Sequence, residues 1–169
     1  MARFLIWVVF LFGGAALGVA LDLRWFPQMI RSVWFHLGTL VPGLLLLRLV
    51  MIISRNTGRY LARHGREGDL PRMQTNRLVT GGIYGCMRHP MHLGLMLFPW
   101  SFALITGSLS FILLIAPLEM LLILVLIRMV EEPEAEKKFG DAYREYKKRV
   151  PMFSLKKECL KLLLQDTST

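Results

Sequence analysis

The chain has 169 residues, 54% of them hydrophobic, and a formal net charge of +9. That length suits one domain and is short for two. Long unbroken apolar runs beside so many cations exclude an ordinary soluble globule and favour a polytopic membrane protein whose charges sit in loops and tail. Nucleic-acid binding is excluded as well, because the arginines flank apolar runs and build no basic face with interleaved aromatics.

Phe4 to Leu21 is an uncharged run of 18 residues, just long enough to span a bilayer. Arg3 before it and Gly18-Val19-Ala20 near its end also fit a signal peptide. A retained span is the preferred reading, since everything downstream is also apolar. Gly13 and Gly14 would let a second helix approach closely. Asp22 to Arg31 forms a connector whose Trp25 and Phe26, with Trp34 and Phe35 after it, suit the headgroup level. A second span is expected from Val33 to Ile53, kinked or opened at Pro42. Its Arg48, ~9 Å from the helix end, can reach the interface.

Ser54 to His92 is a polar segment with seven arginines and two acids, Glu67 and Asp69, and residues 65–71 read as a turn within it. Leu93 to Thr106, Gly107-Ser108 and Leu109 to Val130 form a helical hairpin with a tight turn. Four spans then leave the 54–92 loop and the tail on one side, which the positive-inside rule assigns to the cytosol. The tail should carry an amphipathic helix from Pro133 to Arg149. Ala135, Phe139, Ala142, Tyr143, Tyr146 and Val150 recur there at the 3.6-residue period. Gly140 inside it suggests close packing, and Lys156 to Leu164 suggests a short basic helix lying on the membrane. The expected fold is therefore all-α and polytopic, with about four transmembrane helices and a cytosolic amphipathic C-terminal helix. It forms a single domain of four parts: 1–53, 54–92, 93–130 and 131–169.

Polar chemistry concentrates in residues 81–94, Gly-Gly-Ile-Tyr-Gly-Cys-Met-Arg-His-Pro-Met-His-Leu-Gly. Gly81, Gly82 and Gly85 free the backbone to turn its N–H groups toward a ligand. Arg88 and His89 add donors, and Pro90 suits the first position of the next helix. The bland alternative is a basic juxtamembrane hinge. Glu131 and Glu132 emerge on the same side and could bind hydroxyls or an amine, or serve only as helix-start acids. Tyr143 and Tyr146 share a helix face, as site or as core. Glu119 lies ~16 Å along the span from Val130, where an acid is costly, so it either pairs structurally or lines a substrate cavity. His89 and His92 are spaced i,i+3, but without an acid or cysteine at supporting spacing no metal is expected. Cys86 and Cys159 match no zinc pattern and are expected to be free thiols.

Leu78-Val79-Thr80, Gly82-Ile83-Tyr84, Arg88-His89-Pro90 and Gly94 are followed by Glu131-Glu132, Phe139-Gly140, Tyr143, Tyr146 and Val150-Pro151. This order resembles the integral-membrane methyltransferase family that includes isoprenylcysteine carboxyl methyltransferases and phospholipid methyltransferases. The resemblance covers about residues 78–153 and implies an S-adenosylmethionine site at the cytosolic face. Tyr84, Arg88, His89, Pro90 and Gly94 would hold the cofactor with Glu131, Glu132 and Tyr143. Glu132 and Arg149 would serve the reaction, Arg149 by orienting an acceptor carboxylate. Tyr146 and Glu119 would line the path of a lipophilic or amphipathic substrate arriving from the lipid bilayer. No metal and no nucleic acid enter this reading. His92 stands where the family usually has tyrosine, and Met152 where a basic residue is common. Two alternatives stay open: an NADPH-dependent sterol-type membrane reductase, which usually carries Arg-Asp-Glu where this chain has Val130-Glu131-Glu132, and a non-catalytic relative of the methyltransferase fold.

Overall fold

The computed structural model describes residues 2–69 and 75–165, with side chains from residue 7 onward. Among the described residues every regular element is helical. Three helical stretches are long and apolar enough to cross a membrane: Trp7–Trp25, Val33–His64 and Phe111–Phe139. The fourth expected span is the shorter apolar helix Pro90–Thr106. The chain divides into two compact units, residues 1–50 with 95–125, and residues 51–94 with 126–169.

The first unit contains α1 (Ala2–Trp25), α2 (Pro27–Ile30) and the beginning of α3 (Val33–His64). Most of α5 (Pro90–Thr106), the π-helical turn Phe111–Ile115 and α6 (Ala116–Leu126) complete it. Its outer residues are large and apolar: Val9, Phe12, Leu17, Trp34, Leu44, Leu45 and Leu118 are all exposed. A water-facing fold would bury such side chains; a bilayer-facing one presents them. Inside, Ala103, Phe111, Ile115 and Ala116 form a core with Leu11, Ala15 and Trp100 against it. Small residues set the spacing, as the sequence suggests. A Cβ on Gly14 would lie 2.5 Å from Glu119 Oε1, and one on Gly18 would lie 2.7 Å from Ser108 Oγ. Gly13, its neighbour, faces open space instead. The hairpin turn also falls as expected: α5 stops at Thr106, and Gly107 takes the positive φ of 63° that favours glycine. Asp22 is fully buried at the end of α1, not exposed in a connector, and its Oδ1 accepts the Ser110 N–H at 2.8 Å.

The second unit contains the end of α3, α4 (Ile83–Cys86), the start of α5 and the π-helical turn Ile127–Glu131. After that turn come α7 (Glu132–Phe139), α8 (Asp141–Arg149) and α9 (Lys157–Leu164). Four sequence expectations change here. Helix α3 does not stop at Ile53 but runs on to His64, because residues 54–64 are polar without a helix breaker. The tail helix is two helices: Gly140 has φ 58° with nothing within 4 Å of an added Cβ, so it breaks the helix and does not mark close packing. Cys86 and Cys159 are not free thiols; they form a disulfide with Cα atoms 5.6 Å apart. Finally, α9 docks on the unit through buried Cys159 and Leu163, and Asn56 Nδ2 donates to the Leu163 carbonyl at 3.2 Å. The expected turn at 65–71 lies partly outside the described residues. Its flanks are clasped by Asn76, which accepts from Glu67 N–H at 2.9 Å and donates to Glu67 O at 2.8 Å.

Candidate active site

Residues 81–94 form the ordered backbone of the second unit's site. Gly82 adopts φ 55°, and a Cβ there would lie 2.5 Å from the Tyr60 ring. The glycine is needed for both reasons. The local N–H groups are already used, with Tyr84 and Gly85 both donating to the Gly81 carbonyl. They close a turn, so the ligand-facing N–H groups expected of this loop are absent at these two positions. Arg88 N–H then donates to Pro151 O at 2.9 Å and His89 N–H to Met152 O at 3.2 Å. The segment after Val150 is thereby paired directly with the Arg-His-Pro stretch. Pro90 opens α5, as its fixed φ and missing donor predict.

Arg88 is a brace. Its Nε and Nη2 both donate to Glu132 Oε1, while Nη1 donates to the carbonyls of Lys147 and Val150. Glu132 is buried, and its second oxygen receives Lys147 Nζ at 2.9 Å. Lys147 also reaches Glu136 at 2.9 Å, and these two hydrogen bonds hold its ammonium above the usual lysine range. Sequence reasoning missed Lys147. The available signal was its i+4 position from Tyr143, which brings it to the face that α8 buries.

Beside this brace lies a cavity of about 280 Å³, close to the lower end of the ~300–1,000 Å³ range of small-molecule sites. Leu61, Leu78, Val79 and Phe139 supply apolar wall; His89, His92, Glu131 and Tyr143 supply polar groups. His92 Nε2 lies 2.9 Å from Glu131 Oε1, so this residue has a partner that its place in the sequence did not disclose. His89 Nε2 is 3.5 Å from Glu132 Oε1 and makes no hydrogen bond, and the Tyr143 hydroxyl is also buried without a partner. Burial, then the neighbouring His92, lowers the His89 pKa to about 4 despite the two glutamates, so the ring is neutral at pH 7. Burial raises the Tyr143 pKa and keeps that hydroxyl protonated. Two neutral polar groups thus point into the cavity unsatisfied.

Of the residues expected at the site, Tyr84, Arg88, His89, Pro90, Glu131, Tyr143 and Tyr146 line this cavity. Tyr146 is held by a hydrogen bond from its hydroxyl to Tyr84 O. Glu132 is not a lining residue but the buried end of the Arg88 brace. Gly94 serves packing, since a Cβ there would lie 3.1 Å from Ile53. Arg149 is exposed and bonded to Glu145 O at 3.4 Å, away from the lining. Glu119 belongs to the first unit and lines a cavity made of that unit's residues. Arg77, unremarked in the sequence, lines the site. His89, His92 and Glu131 also bring three ligand atoms within 4.8 Å of one another. The acid that the histidine pair lacks in sequence comes from 39 residues away.

The phospholipid methyltransferase family profile matches residues 38–142, which contain the Arg-His-Pro stretch, both glutamates and the start of α8. The protein-S-isoprenylcysteine O-methyltransferase of Schizosaccharomyces pombe is 26% identical over 145 residues, 82% of this chain. The chain spans 58% of that relative's length. With more than half of its length matched, the chain belongs to the phospholipid methyltransferase family.

Proposed function

We propose that the chain is an integral-membrane methyltransferase that uses S-adenosylmethionine and methylates a lipid-like or small amphipathic acceptor. The observation that carries this reading is the pair of unsatisfied groups, His89 Nε2 and the Tyr143 hydroxyl, facing a cavity within the family-matched region. A nucleoside cofactor with a zwitterionic end offers hydrogen-bonding groups to both, and the apolar wall around Leu78 and Phe139 suits its flat base. Glu131 would face the cofactor's ammonium and Arg77 its carboxylate. When bound, S-adenosylmethionine supplies a methyl group on a sulfonium, an electrophile that needs alignment and charge placement more than a metal or nucleophile.

The protein's part is then positional. Neutral His89 and Tyr143 orient, Arg88 and Glu132 fix the frame, and burial strengthens the local field. For an amine or thiol acceptor, His92 Nε2, anchored at Glu131, is the atom placed to receive the proton lost on methylation. A carboxylate acceptor such as isoprenylcysteine would need an arginine at its end. Arg149 stands outside the lining, so amine and thiol acceptors are favoured. The arginines of residues 54–92 argue for a cytosolic site. In a reducing cytosol Cys86 and Cys159 would stand as two adjacent thiols.

Titration calorimetry of the purified protein tests the cofactor. S-adenosylmethionine should bind, His89→Ala should weaken it about tenfold or more, and NADPH should give no heat. No binding by wild type, or NADPH binding in its place, would overturn the proposal. A methyl-transfer assay on lipid amines, thiols and prenylcysteines then identifies the acceptor.

A further inference from the structure

A second cavity, of about 490 Å³, lies in the first unit between α1 and α6. Its wall is almost wholly apolar: Val9, Phe10, Leu17, Ile115 and Leu118, with the glycines Gly13 and Gly14. The exception is Glu119, 5% exposed, whose Oε1 is buried without a hydrogen-bond partner. Neither Arg48 nor the Pro117 carbonyl supplies one. Among the described residues no ion pair includes Glu119.

This carboxyl stands ~12 Å along the helix from Phe111 and ~16 Å from Val130, inside the apolar length of the span. An unpaired acid there is expensive and marks function. The space beside it is built: a Cβ on Gly14 would come within 2.5 Å of Oε1, so only glycine leaves that oxygen uncovered. The opening is lateral, because Val9, Leu17 and Leu118 at its rim are 69%, 54% and 63% exposed on the apolar outer surface. A ligand would therefore enter from lipid, carry a long apolar body, and present a donor to one carboxylate oxygen.

We propose that this cavity binds a long-chain amine, its ammonium paired with Glu119 and its chain along Leu17, Ile115 and Leu118. Charge complementarity selects the amine over an alcohol or an ester. An ammonium and a carboxylate are each costly in hydrocarbon, and as a hydrogen-bonded pair each supplies the other's missing partner. The proposal stands independently of the site at His89 and of any methyl transfer.

The test uses full-length protein in detergent with hexadecylamine and hexadecanol as probes, bound ligand being counted by native mass spectrometry. Wild type should retain one hexadecylamine saturably and hexadecanol about tenfold or more weakly. Glu119→Gln, which keeps the shape, should bring the amine down to the level of the alcohol. Glu119→Asp should restore part of the preference. Equal retention of amine and alcohol by wild type would overturn the proposal without any variant, leaving an apolar cavity only. So would amine retention unchanged in Glu119→Gln, or no saturable amine at all.

Discussion

Arg88→Lys separates a framing role from a ligand-binding one. The arginine makes four hydrogen bonds through three nitrogens, two to Glu132 and one each to the carbonyls of Lys147 and Val150. Its side chain is 8% exposed and that of Glu132 is 6% exposed, so water cannot replace a lost partner. Lysine keeps the charge but offers a single nitrogen on a flexible stem and cannot reproduce the fork. Lys147 would still neutralise Glu132, which limits the loss to the unpaired carbonyls and the poorer geometry, about 2–3 kcal/mol in all. Arg88→Ala leaves no donor in place and should cost about 3–5 kcal/mol, the range for breaking a buried pair from one side. Thermal unfolding in detergent, followed by circular dichroism, measures both. For whatever fraction stays folded, the affinity for S-adenosylmethionine should fall less with Arg88→Lys than with His89→Ala. An Arg88→Ala protein within about 0.5 kcal/mol of wild type would refute the brace. A Lys variant of full stability with abolished cofactor binding would return Arg88 to the ligand.

Two further outcomes follow from local geometry. The folded His89 pKa is lowered from 6.5 to about 4, so the unfolded chain binds the extra proton between those values. The contribution is fully present above about pH 6.5 and fades as pH falls toward 4, by up to about 3 kcal/mol. Melting temperatures from pH 7.5 to 4.5 should fall less steeply for His89→Gln than for wild type; parallel slopes would refute the assignment. Gly82→Ala and Gly140→Ala isolate a clash from a backbone preference. Both glycines share nearly the same positive φ, but only Gly82 has a ring, Tyr60, where the Cβ would go. Gly140→Ala should cost about 1–3 kcal/mol, and Gly82→Ala clearly more; equal losses in chemical denaturation would show that Tyr60 moves aside freely.

Local chemistry was well written in the chain, and partnership across it was not. Pro90 as a helix start, Gly107 as a turn and Gly14 as a close approach each follow from the residue's own backbone or size. So does the all-helical, apolar character of the fold. The end of α3 was misjudged because apolarity marks where a bilayer stops, whereas a helix continues until something breaks it, here past His64. Gly140 was misread because the 3.6-residue pattern holds on both sides of the break. The site was legible as a set of residues and not as a set of roles. Nothing near Arg88 in sequence says that it bonds carbonyls 59 and 62 positions away. Nor does the sequence around His92 reveal Glu131, or that around Cys86 reveal Cys159.

The π-helical turn Ile127–Glu131 ties the length of the last span to the direction of its acids. A π turn holds one residue more than the α-helical turn it replaces. Removing a single residue there, as adaptation to a thinner bilayer would invite, turns everything after it by about 100° about the helix axis. Glu132 would swing off Arg88, and Glu131 off His92. The span therefore tolerates shortening only in steps that restore phase, roughly whole turns at a time. Its fit to a given membrane thickness and the aim of its carboxylates are inherited together.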